Sequence, residues 1–409
     1  MGHCEEFDCV VVGGGPAGAT AADGLARAGF NVLLLDKAGR IKPCGGAIPP
    51  RAIRDYAIPD ELIVAKVQSA RIISPSARHV DMPIDGGYVG MVDREHFDEW
   101  LRERAARNGA TRRQGTFVKL DRDNDGTALV RYESRGADGG KGVTCAVRAR
   151  TVIGADGALS MVGRQEVPAS RAMPYVFAYH EIIKSPTKDI AGFDGKRCEV
   201  HYRGKLSPDF YAWVFPHGDT TSVGVGSANK GFSLRGAVSE LRDSSGLDTS
   251  ETVRCEGAPI PLKPLKRWDN GRDVLLAGDA AGVVAPASGE GIYYAMLGGE
   301  LAADAVGECL QTGDARALAQ ARKKFMKAHG RVFWALGMLQ HFWYRSDKRR
   351  ERFVTMCADP DVQRLTWDSY MNKELVRKKP AAHLRVFAKD VAHLFGWISP
   401  WRTSQRSGR

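Results

Sequence analysis

The chain has 409 residues, of which 43% are hydrophobic and 46 are glycine, which suits an α/β protein of two or three packed units. Its eight cysteines are scattered and lack a C-x-x-C pair, which argues against zinc or iron–sulfur sites and favours a reducing compartment. From the cysteine pattern we expect no metal site. We find no signal peptide and no apolar run of about 18 residues, so we expect a cytoplasmic protein without a transmembrane helix.

Residues 8–36 contain a short apolar run, a glycine-rich turn, a predicted helix and a second apolar run that ends on Asp36. Gly13, Gly15 and Gly18 form the pattern G-x-G-x-x-G in the turn. Such glycines permit a tight turn and bring a pyrophosphate close to the helix N-terminus, while the acid can accept hydrogen bonds from a ribose 2′-OH. The stretch therefore predicts a βαβ unit that binds an unphosphorylated dinucleotide, either FAD or NAD.

The next segment, KAGRIKPCGGAIPP, is too rich in glycine and proline for a regular element. Loops that follow strand ends border the ligand crevice of a doubly wound sheet, so we expect Cys44, Gly45 and Gly46 to lie beside the cofactor. Two adjacent glycines suit close contact with a flat ring. For Cys44 the alternative is a small buried side chain in a turn.

A predicted strand at residues 70–74 is followed by a helix that begins near Asp93. Arg94, in the first turn of that helix, is a candidate phosphate ligand, and the alternative is a solvated surface arginine. Residues 116–120 and 128–132 are predicted strands joined by a turn.

Two later strands also end in glycine and an acid, and the second is followed by a long helix of small residues. These positions complete the predicted cofactor site: Asp156, Gly157, Gly278, Asp279, Gly289, Gly291 and Ile292. An acid at a strand end can bind ribityl hydroxyls, and a helix N-terminus can stabilise an anionic reduced ring. Three such strand ends without a second dinucleotide fingerprint favour FAD over NAD.

Between these strands lies a block of alternating and aromatic-rich segments that predicts an antiparallel sheet inserted into the nucleotide-binding domain. Its predicted strands are residues 175–182, 197–202, 210–215 and 221–226. Tyr211, Trp213 and Phe215 share one face by the period-two rule and would form a wall for an apolar substrate. Ordinary core packing is the alternative for these three side chains.

The basic charge of the chain, +11 overall, is concentrated in its last part. Residues 331–409 hold 16 Lys and Arg against 7 Asp and Glu, together with five of the eight tryptophans. This mixture in predicted helices fits a helix at a bilayer interface, or a packed helical lid with a solvated basic face. It can also mark nucleic-acid binding, but no nucleic-acid module accompanies it, so we expect no nucleic-acid partner.

Taken together, these motifs resemble those of known flavoproteins. The turn at residues 13–18 with Asp36, G-A-D-G at 154–157 and Gly278-Asp279 resemble the FAD signature of para-hydroxybenzoate hydroxylase-like proteins. The segments KPCGG, PDFYAWVFP and VAPASGEGIYY are similar to motifs of geranylgeranyl reductases. KPCGGAIPP, MVDREHFDEWL and APIPLKPL are similar to the photosynthetic branch of that family, which reduces the geranylgeranyl tail of chlorophyll or bacteriochlorophyll, and above all to its bacteriochlorophyll members.

The resemblance covers nearly the whole chain and implies an α/β fold with an inserted sheet. We expect a Rossmann-like FAD-binding domain (residues 1–168 and 264–330), an antiparallel substrate domain (169–263) and a helical C-terminal segment (331–409). The resemblance implies bound FAD, NADPH as hydride source with reduced ferredoxin as the alternative, and geranylgeranylated (bacterio)chlorophyll or geranylgeranyl diphosphate as substrate. It also implies peripheral association with the photosynthetic inner membrane.

Cys44 is the candidate proton donor, or the residue that positions the donor. An isolated alkene has no carbonyl to polarise, so hydride delivery requires a proton at the other carbon. Tyr211, Trp213 and Phe215 would hold the prenyl chain, which would slide to allow three reductions at one site.

Two other functions fit the same flavin-binding pattern. One is a monooxygenase or halogenase, although Tyr211 and Phe215 depart from the W-x-W-x-I-P motif of halogenases. The other is a non-enzymatic prenyl-binding escort protein, against which the intact acids Asp36, Asp156 and Asp279 argue.

Overall fold

The computed structural model describes residues 4–37, 41–134, 142–186 and 192–373. The strands found there are β1 (Glu6–Val12), β2 (Val32–Asp36), β3 (Ala47–Ile48), β4 (Ile63–Val67), β5 (Ser69–Ile73), β6 (His79–Pro83), β7 (Val89–Val92), β8 (Thr111–Gln114), β9 (Thr116–Arg122), β10 (Ala128–Ser134), β11 (Val143–Gly154), β12 (Tyr175–Lys184), β13 (Arg197–His201), β14 (Ala212–His217), β15 (Thr220–Ser227), β16 (Thr252–Pro261) and β17 (Val274–Leu276). The α-helices are α1 (Pro16–Arg27), α2 (Pro50–Asp55), α3 (Arg94–Arg107), α4 (Met161–Glu166), α5 (Leu234–Ser244), α6 (Ile292–Thr312), α7 (Ala319–Trp343), α8 (Asp347–Met356) and α9 (Pro360–Asn372).

The chain divides into two compact units, each built from three separate segments. The first unit comprises the described residues of Met1–Lys42, Arg94–Tyr175 and Pro259–Phe333. The second comprises those of Pro43–Asp93, Val176–Ala258 and Trp334–Arg409.

A seven-stranded sheet forms the centre of the first unit, in the order β8-β2-β1-β11-β10-β9 with β17 also paired to β11. Strands β8, β2, β1, β11 and β17 are parallel, whereas β10 and β9 run antiparallel at one edge. The apolar runs of β1 and β2 are buried, as strands covered on both faces require. This sheet confirms the predicted Rossmann-like α/β fold.

Helices α1 and α6 pack closely against each other in the first unit. A β-carbon on Gly299 would overlap the carbonyl oxygen of Ala17, so glycine is needed where the two backbones meet. The small residues of these helices therefore allow close packing. Gly278, just after β17, also lies against Ala17, so the N-termini of α1 and α6 lie on the same side of the sheet.

A second seven-stranded sheet organises the other unit, in the order β16-β12-β15-β14-β13-β5-β6. The pairs β12–β15, β15–β14, β14–β13 and β5–β6 are antiparallel, whereas β13 and β5 are parallel. Val214 and Val223 pack against Val238 and Leu241 of α5 on one face. The predicted inserted antiparallel sheet is thus confirmed, and a small sheet of β3, β7 and β4 accompanies it.

The partner of the strand at residues 70–74 is not evident from the sequence. This strand, β5, pairs in parallel with β13, and β6 continues the sheet beyond it. The second sheet is therefore assembled from two distant parts of the chain.

Helices α7, α8 and α9 confirm the helical prediction for the first part of residues 331–409. The later basic and tryptophan-containing segment, residues 374–409, lies outside the described residues. Among the helices that the structure does describe, none is long and apolar enough to span a bilayer.

Candidate functional site

The predicted cofactor residues of the first unit follow the carboxyl ends of four parallel strands. Gly13 follows β1, Asp36 ends β2, Asp156 follows β11 and Asp279 follows β17. Parallel strands present their carboxyl ends at one edge of the sheet, which is where doubly wound proteins bind ligands. The fold therefore brings these separate sequence motifs to a common edge.

The turn between β1 and α1 has the close packing that its glycines predict. A β-carbon on Gly18 would overlap the carbonyl oxygen of Gly13, and one on Gly13 would overlap that of Ala155. Gly15 is the N-cap of α1 and supplies no side-chain cap, so the backbone N–H groups of the first helical turn have no side-chain acceptor of their own. This geometry fits a phosphate group at the helix N-terminus.

Asp36 is tied to the same turn. Its Oδ2 accepts a hydrogen bond from the backbone N–H of Gly14 at 2.5 Å, and its Oδ1 lies 3.7 Å from Nη1 of Arg102. Burial raises the pKa of the Asp36 carboxyl above its ordinary value, partly offset by the Gly14 N–H and by Arg102. Arg102 was not predicted, although it lies on the same helix as Arg94, two turns further along.

Arg94 is buried and is not the solvated surface arginine of the alternative interpretation. Its Nε and Nη2 donate to the two carboxylate oxygens of Asp98 at 2.7 Å each. A β-carbon on Gly15 would lie 4.0 Å from Nη2 of Arg94, so the guanidinium group lies beside the glycine-rich turn. Contact with a phosphate remains a prediction for this side chain.

Asp156 has a local structural role in the first unit. Its carboxylate accepts hydrogen bonds from Ser160 Oγ at 2.5 Å and from the backbone N–H groups of Met161 at 2.6 Å and Val162 at 3.2 Å. It thus binds the first turn of α4, whose N-cap residue is Ser160, and burial raises the pKa of the Asp156 carboxyl. Gly157, at φ 90°, adopts the left-handed conformation that glycine tolerates best.

Asp279 forms an ion pair with Lys42, although the two residues are far apart in the sequence. Its side chain is mostly buried, whereas that of Lys42 is about one-third exposed (37%). A β-carbon on Gly291 would lie 3.7 Å from Oδ1 of Asp279, so the end of β17 meets the start of α6. Lys42 was missed as a site residue, although it opens the K-P-C-G-G motif.

Helix α6 begins without a side-chain cap. Its N-cap is Gly291, its first residue is Ile292, and Gly289 just before it has a left-handed φ of 66°. Two helices of the first unit, α1 and α6, therefore start with glycine N-caps. The donor set fits FAD, since both N-termini can face the negative charge of a phosphate or a reduced ring.

In the second unit, the predicted cysteine–glycine loop packs against the predicted aromatic strand. A β-carbon on Gly45 would lie 3.0 Å from Cδ2 of Phe215, and one on Gly46 would lie 2.5 Å from Nε2 of His217. Cys44 is partly buried, and its Sγ accepts a hydrogen bond from the backbone N–H of Gly46 at 3.4 Å. Residues predicted separately as catalytic and substrate-binding are thus neighbours.

His217 lies at the centre of this contact, although no sequence motif marked it as a site residue. Its Nδ1 lies 2.9 Å from the carbonyl oxygen of Phe215, where it can donate a hydrogen bond, while Nε2 faces Gly46. Burial lowers the pKa of the His217 imidazole below its ordinary value. This shift favours the uncharged imidazole at neutral pH, at the end of β14 beside the loop.

Tyr211, Trp213 and Phe215 form a continuous aromatic row on one face of the second sheet. Ring centroids of Tyr211 and Trp213 are 6.0 Å apart, and those of Trp213 and Phe215 are 6.2 Å apart. Tyr211 and Trp213 are buried, whereas Phe215 is only half-buried. A β-carbon on Gly224 would overlap the Trp213 ring, so the indole lies directly over β15.

A polar network supports this row. Trp213 Nε1 donates to Ser222 Oγ at 3.1 Å, and Ser222 Oγ lies 2.9 Å from Nδ1 of His180. The other ring nitrogen of His180 lies 3.0 Å from Oε2 of Glu256. These bonds fix the orientation of the indole, while its ring faces remain apolar.

Comparison with known proteins identifies the family. A family model described as "FAD binding domain" matches residues 6–185. The chain is 57% identical to the geranylgeranyl diphosphate reductase of Rhodobacter capsulatus (97% of this chain, 99% of the relative). It is 38% identical to that of Synechocystis sp. (94% and 97%).

Among solved structures, a geranylgeranyl bacteriochlorophyll reductase-like protein from Thermoplasma acidophilum has the same fold, with a TM-score of 0.76 at 22% identity. The match covers 96% of this chain and 98% of that one. FAD binding is a property of the matched domain, and the glycine turn and strand ends described above fit it. On these grounds, the chain belongs to the geranylgeranyl diphosphate reductase family.

Proposed function

We propose that the protein is an FAD-dependent reductase that hydrogenates the isolated double bonds of a geranylgeranyl chain in chlorophyll or bacteriochlorophyll biosynthesis. The observation that carries this proposal is the contact of the Cys44–Gly46 loop with the aromatic row of β14. Proton delivery to an unactivated alkene requires a positioned acid, and this contact holds the loop that carries the Cys44 thiol beside aromatic side chains. Relatives named geranylgeranyl diphosphate reductase support the choice of substrate.

The cofactor would be held by the first unit. Gly13, Gly15, Gly18 and Asp36 would bind the adenosine and pyrophosphate, assisted by Arg94. The remaining contacts would come from later strand ends and the start of α6: Asp156, Gly157, Gly278, Asp279, Gly289, Gly291 and Ile292. FAD supplies the hydride equivalent when bound, and NADPH is the reductant we propose, with reduced ferredoxin as the alternative.

Cys44 is the proposed proton donor, with Gly45 and Gly46 allowing close approach of the loop to the cofactor ring. Each double bond gains a hydride on one carbon and a proton on the other. The S–H bond of Cys44 breaks as the new C–H bond forms, and the thiolate then takes a proton from water. His217 positions the loop through its contact with Gly46.

Tyr211, Trp213 and Phe215 are the proposed binding surface for the prenyl chain. Aromatic rings in a row offer an apolar path with no hydrogen-bonding demand on the chain. Because ring faces hold an apolar chain without directional bonds, the chain can slide and present successive double bonds to one donor.

The substrate is long and apolar, so we propose that the protein works as a peripheral protein at the photosynthetic inner membrane. For the domains, we propose that residues 1–168 and 264–330 bind FAD and that residues 169–263 bind the substrate. Residues 331–409 would form a basic, aromatic helical segment.

The test is anaerobic turnover with two substrates, geranylgeranyl diphosphate and geranylgeranylated bacteriochlorophyll, in detergent. NADPH and dithionite serve as alternative reductants, which separates the chemistry from the choice of donor. Gains of two hydrogens per double bond in the tail support the proposal. Oxygen-dependent hydroxylation would instead identify a monooxygenase, and a protein without bound flavin that merely retains the prenyl substrate would identify an escort.

A further inference from the structure

The second half of α7 carries an exposed apolar face. Trp334 is 70% exposed, and Met338 and Phe342 are each 37% exposed, which makes them the large apolar side chains that this helix turns to solvent. Their spacing of four residues places them along one side of the helix. Phe333 and Trp343, only one residue away from two of them, are buried. The exposed side chains therefore lie on one face of the helix, and the helix as a whole is not loosely packed.

Positive charge surrounds one end of this face. Arg345 and Lys348 follow α7 and are exposed, and within the described residues neither has an acidic side chain in salt-bridge range. Arg349 donates from Nη1 to the carbonyl oxygen of Phe342 at 3.1 Å, which places its charge at the end of the apolar face. The sequence contains no acidic residue from 331 to 346.

The nearest acid does not offset this charge. Asp347 accepts hydrogen bonds from Arg350 Nη1 at 2.7 Å and from the backbone N–H of Gly204 at 2.9 Å. Its carboxylate is therefore engaged with a buried arginine. The outer surface combines tryptophan, methionine and phenylalanine with unopposed basic groups.

We propose that Trp334, Met338 and Phe342 insert into the headgroup region of an anionic phospholipid bilayer, while Arg345 and Lys348 contact the lipid phosphates. An exposed apolar stripe on an amphipathic helix beside basic residues is the pattern of interfacial membrane binding. Tryptophan suits this depth because its ring is apolar and its N–H is polar. The inference rests on the proposed function only in that a prenyl substrate resides in a membrane.

A second copy of the chain is a poorer occupant. Three partly exposed side chains cannot by themselves bury the roughly 800 Å² per partner of a standard protein interface. Two copies would also bring Arg345 and Lys348 of both chains together, which like charges oppose. A lipid surface satisfies both the apolar side chains and the basic groups.

The test is sedimentation of the FAD-loaded, full-length protein with vesicles of phosphatidylcholine, with or without phosphatidylglycerol. The apolar variant combines Trp334→Gln, Met338→Gln and Phe342→Gln, and the charge variant combines Arg345→Gln and Lys348→Gln. The matched controls are Val253→Gln, another exposed apolar residue, and Lys230→Gln, another exposed lysine. Flavin absorbance and the melting temperature show that each variant is folded.

We expect the apolar variant to lose about tenfold or more of its binding to anionic vesicles, since it removes three inserted side chains. The charge variant should lose binding to anionic vesicles only, and the controls should bind as the wild type does. The proposal would be overturned if the wild-type protein bound none of the vesicles, or if the apolar variant bound anionic vesicles as well as the wild type does. It would also be overturned by a wild-type dimer that the apolar substitutions split while vesicle binding stays the same.

Reductase turnover of a detergent-solubilised geranylgeranyl substrate is measured in parallel. Variants of the α7 face should retain it, because vesicles are absent from that assay. Wild-type protein that binds vesicles but reduces no substrate would contradict the proposed function and leave the membrane surface intact. Turnover without vesicle binding would contradict only the membrane surface.

Discussion

Gly45 and Phe215 lie against each other: a β-carbon on Gly45 would be 3.0 Å from Cδ2 and 3.1 Å from Cε2 of the phenylalanine ring. Gly45, the residue after the candidate proton donor, therefore packs against Phe215, the half-buried end of the aromatic row. A glycine here sets how near the Cys44 loop can come to the surface on which the prenyl chain is proposed to lie.

Gly45→Ala tests this spacing. The added methyl group would press on the Phe215 ring, so we expect the loop to move and kcat/KM for prenyl reduction to fall about tenfold or more, which is about 1.4 kcal/mol in the transition state. FAD content should be unchanged. Phe215→Leu in the same chain makes room for the methyl group and should restore part of the activity. Equal turnover by Gly45→Ala and wild type would show that the spacing does not matter.

Cys44→Ser tests the proton donor. Its hydroxyl is a weaker acid than the thiol, so we expect reduction to fall by about 10²-fold or more while FAD binding and the melting temperature stay near those of the wild type. Cys255→Ser, at an exposed cysteine of the second unit, is the matched control and should be fully active. A Cys44→Ser protein that reduces the tail at the normal rate would remove the residue from the mechanism.

Asp36→Asn tests the adenosine site. The carboxylate accepts from Gly14 and lies near Arg102, so its neutral replacement should weaken FAD binding by about 1.5–3 kcal/mol without unfolding the chain. Burial raises the pKa of Asp36, so this carboxylate takes up a proton at a higher pH than an exposed aspartate does. The FAD affinity of the wild type should therefore fall in that pH range on acidification, whereas the FAD affinity of the variant should not. Fluorescence titration of the apoprotein with FAD measures both.

Asp304→Asn, at an exposed acid of the first unit, is the control for this titration. It should bind FAD as the wild type does. An Asp36→Asn protein with unchanged affinity at neutral pH would place the ribose contact elsewhere.

His217 predicts a pH dependence of stability. Burial lowers the pKa of His217 in the folded protein below its value in the unfolded chain. At a pH between these two pKa values, the unfolded chain therefore binds more protons than the folded protein. The contribution to the free energy of unfolding is complete above about pH 6.5 and falls as the pH decreases, by at most about 1.4 kcal/mol per pH unit. His217→Gln should flatten this part of the curve, as urea unfolding across the range will show. Parallel curves for both proteins would contradict the assignment.

Local patterns predicted most of the elements. The apolar run, glycine turn and acid of residues 8–36 gave β1, α1 and β2, because burial and backbone conformation there depend on near neighbours. The alternation of Tyr211, Trp213 and Phe215 likewise gave the correct shared face.

Contacts between distant residues were beyond such patterns. The pairing of β5 with β13, the Lys42–Asp279 ion pair and the position of His217 over Gly46 depend on how strands and loops assemble. No periodicity marks them. The contact of Asp156 with the start of α4 could have been predicted, because Asp156 and Ser160 precede a short helix, and such residues are a helix-start signal.

The most direct test of the central claim is a single anaerobic turnover experiment on geranylgeranylated bacteriochlorophyll, with the flavin reduced chemically beforehand and the tail followed by mass spectrometry. Because each reduced flavin delivers one hydride, the reduced enzyme is supplied in excess over the tail. We predict products that have gained two, four and six hydrogens in succession, with one flavin oxidised for each double bond removed. A tail of unchanged mass beside a flavin that stays reduced would contradict it.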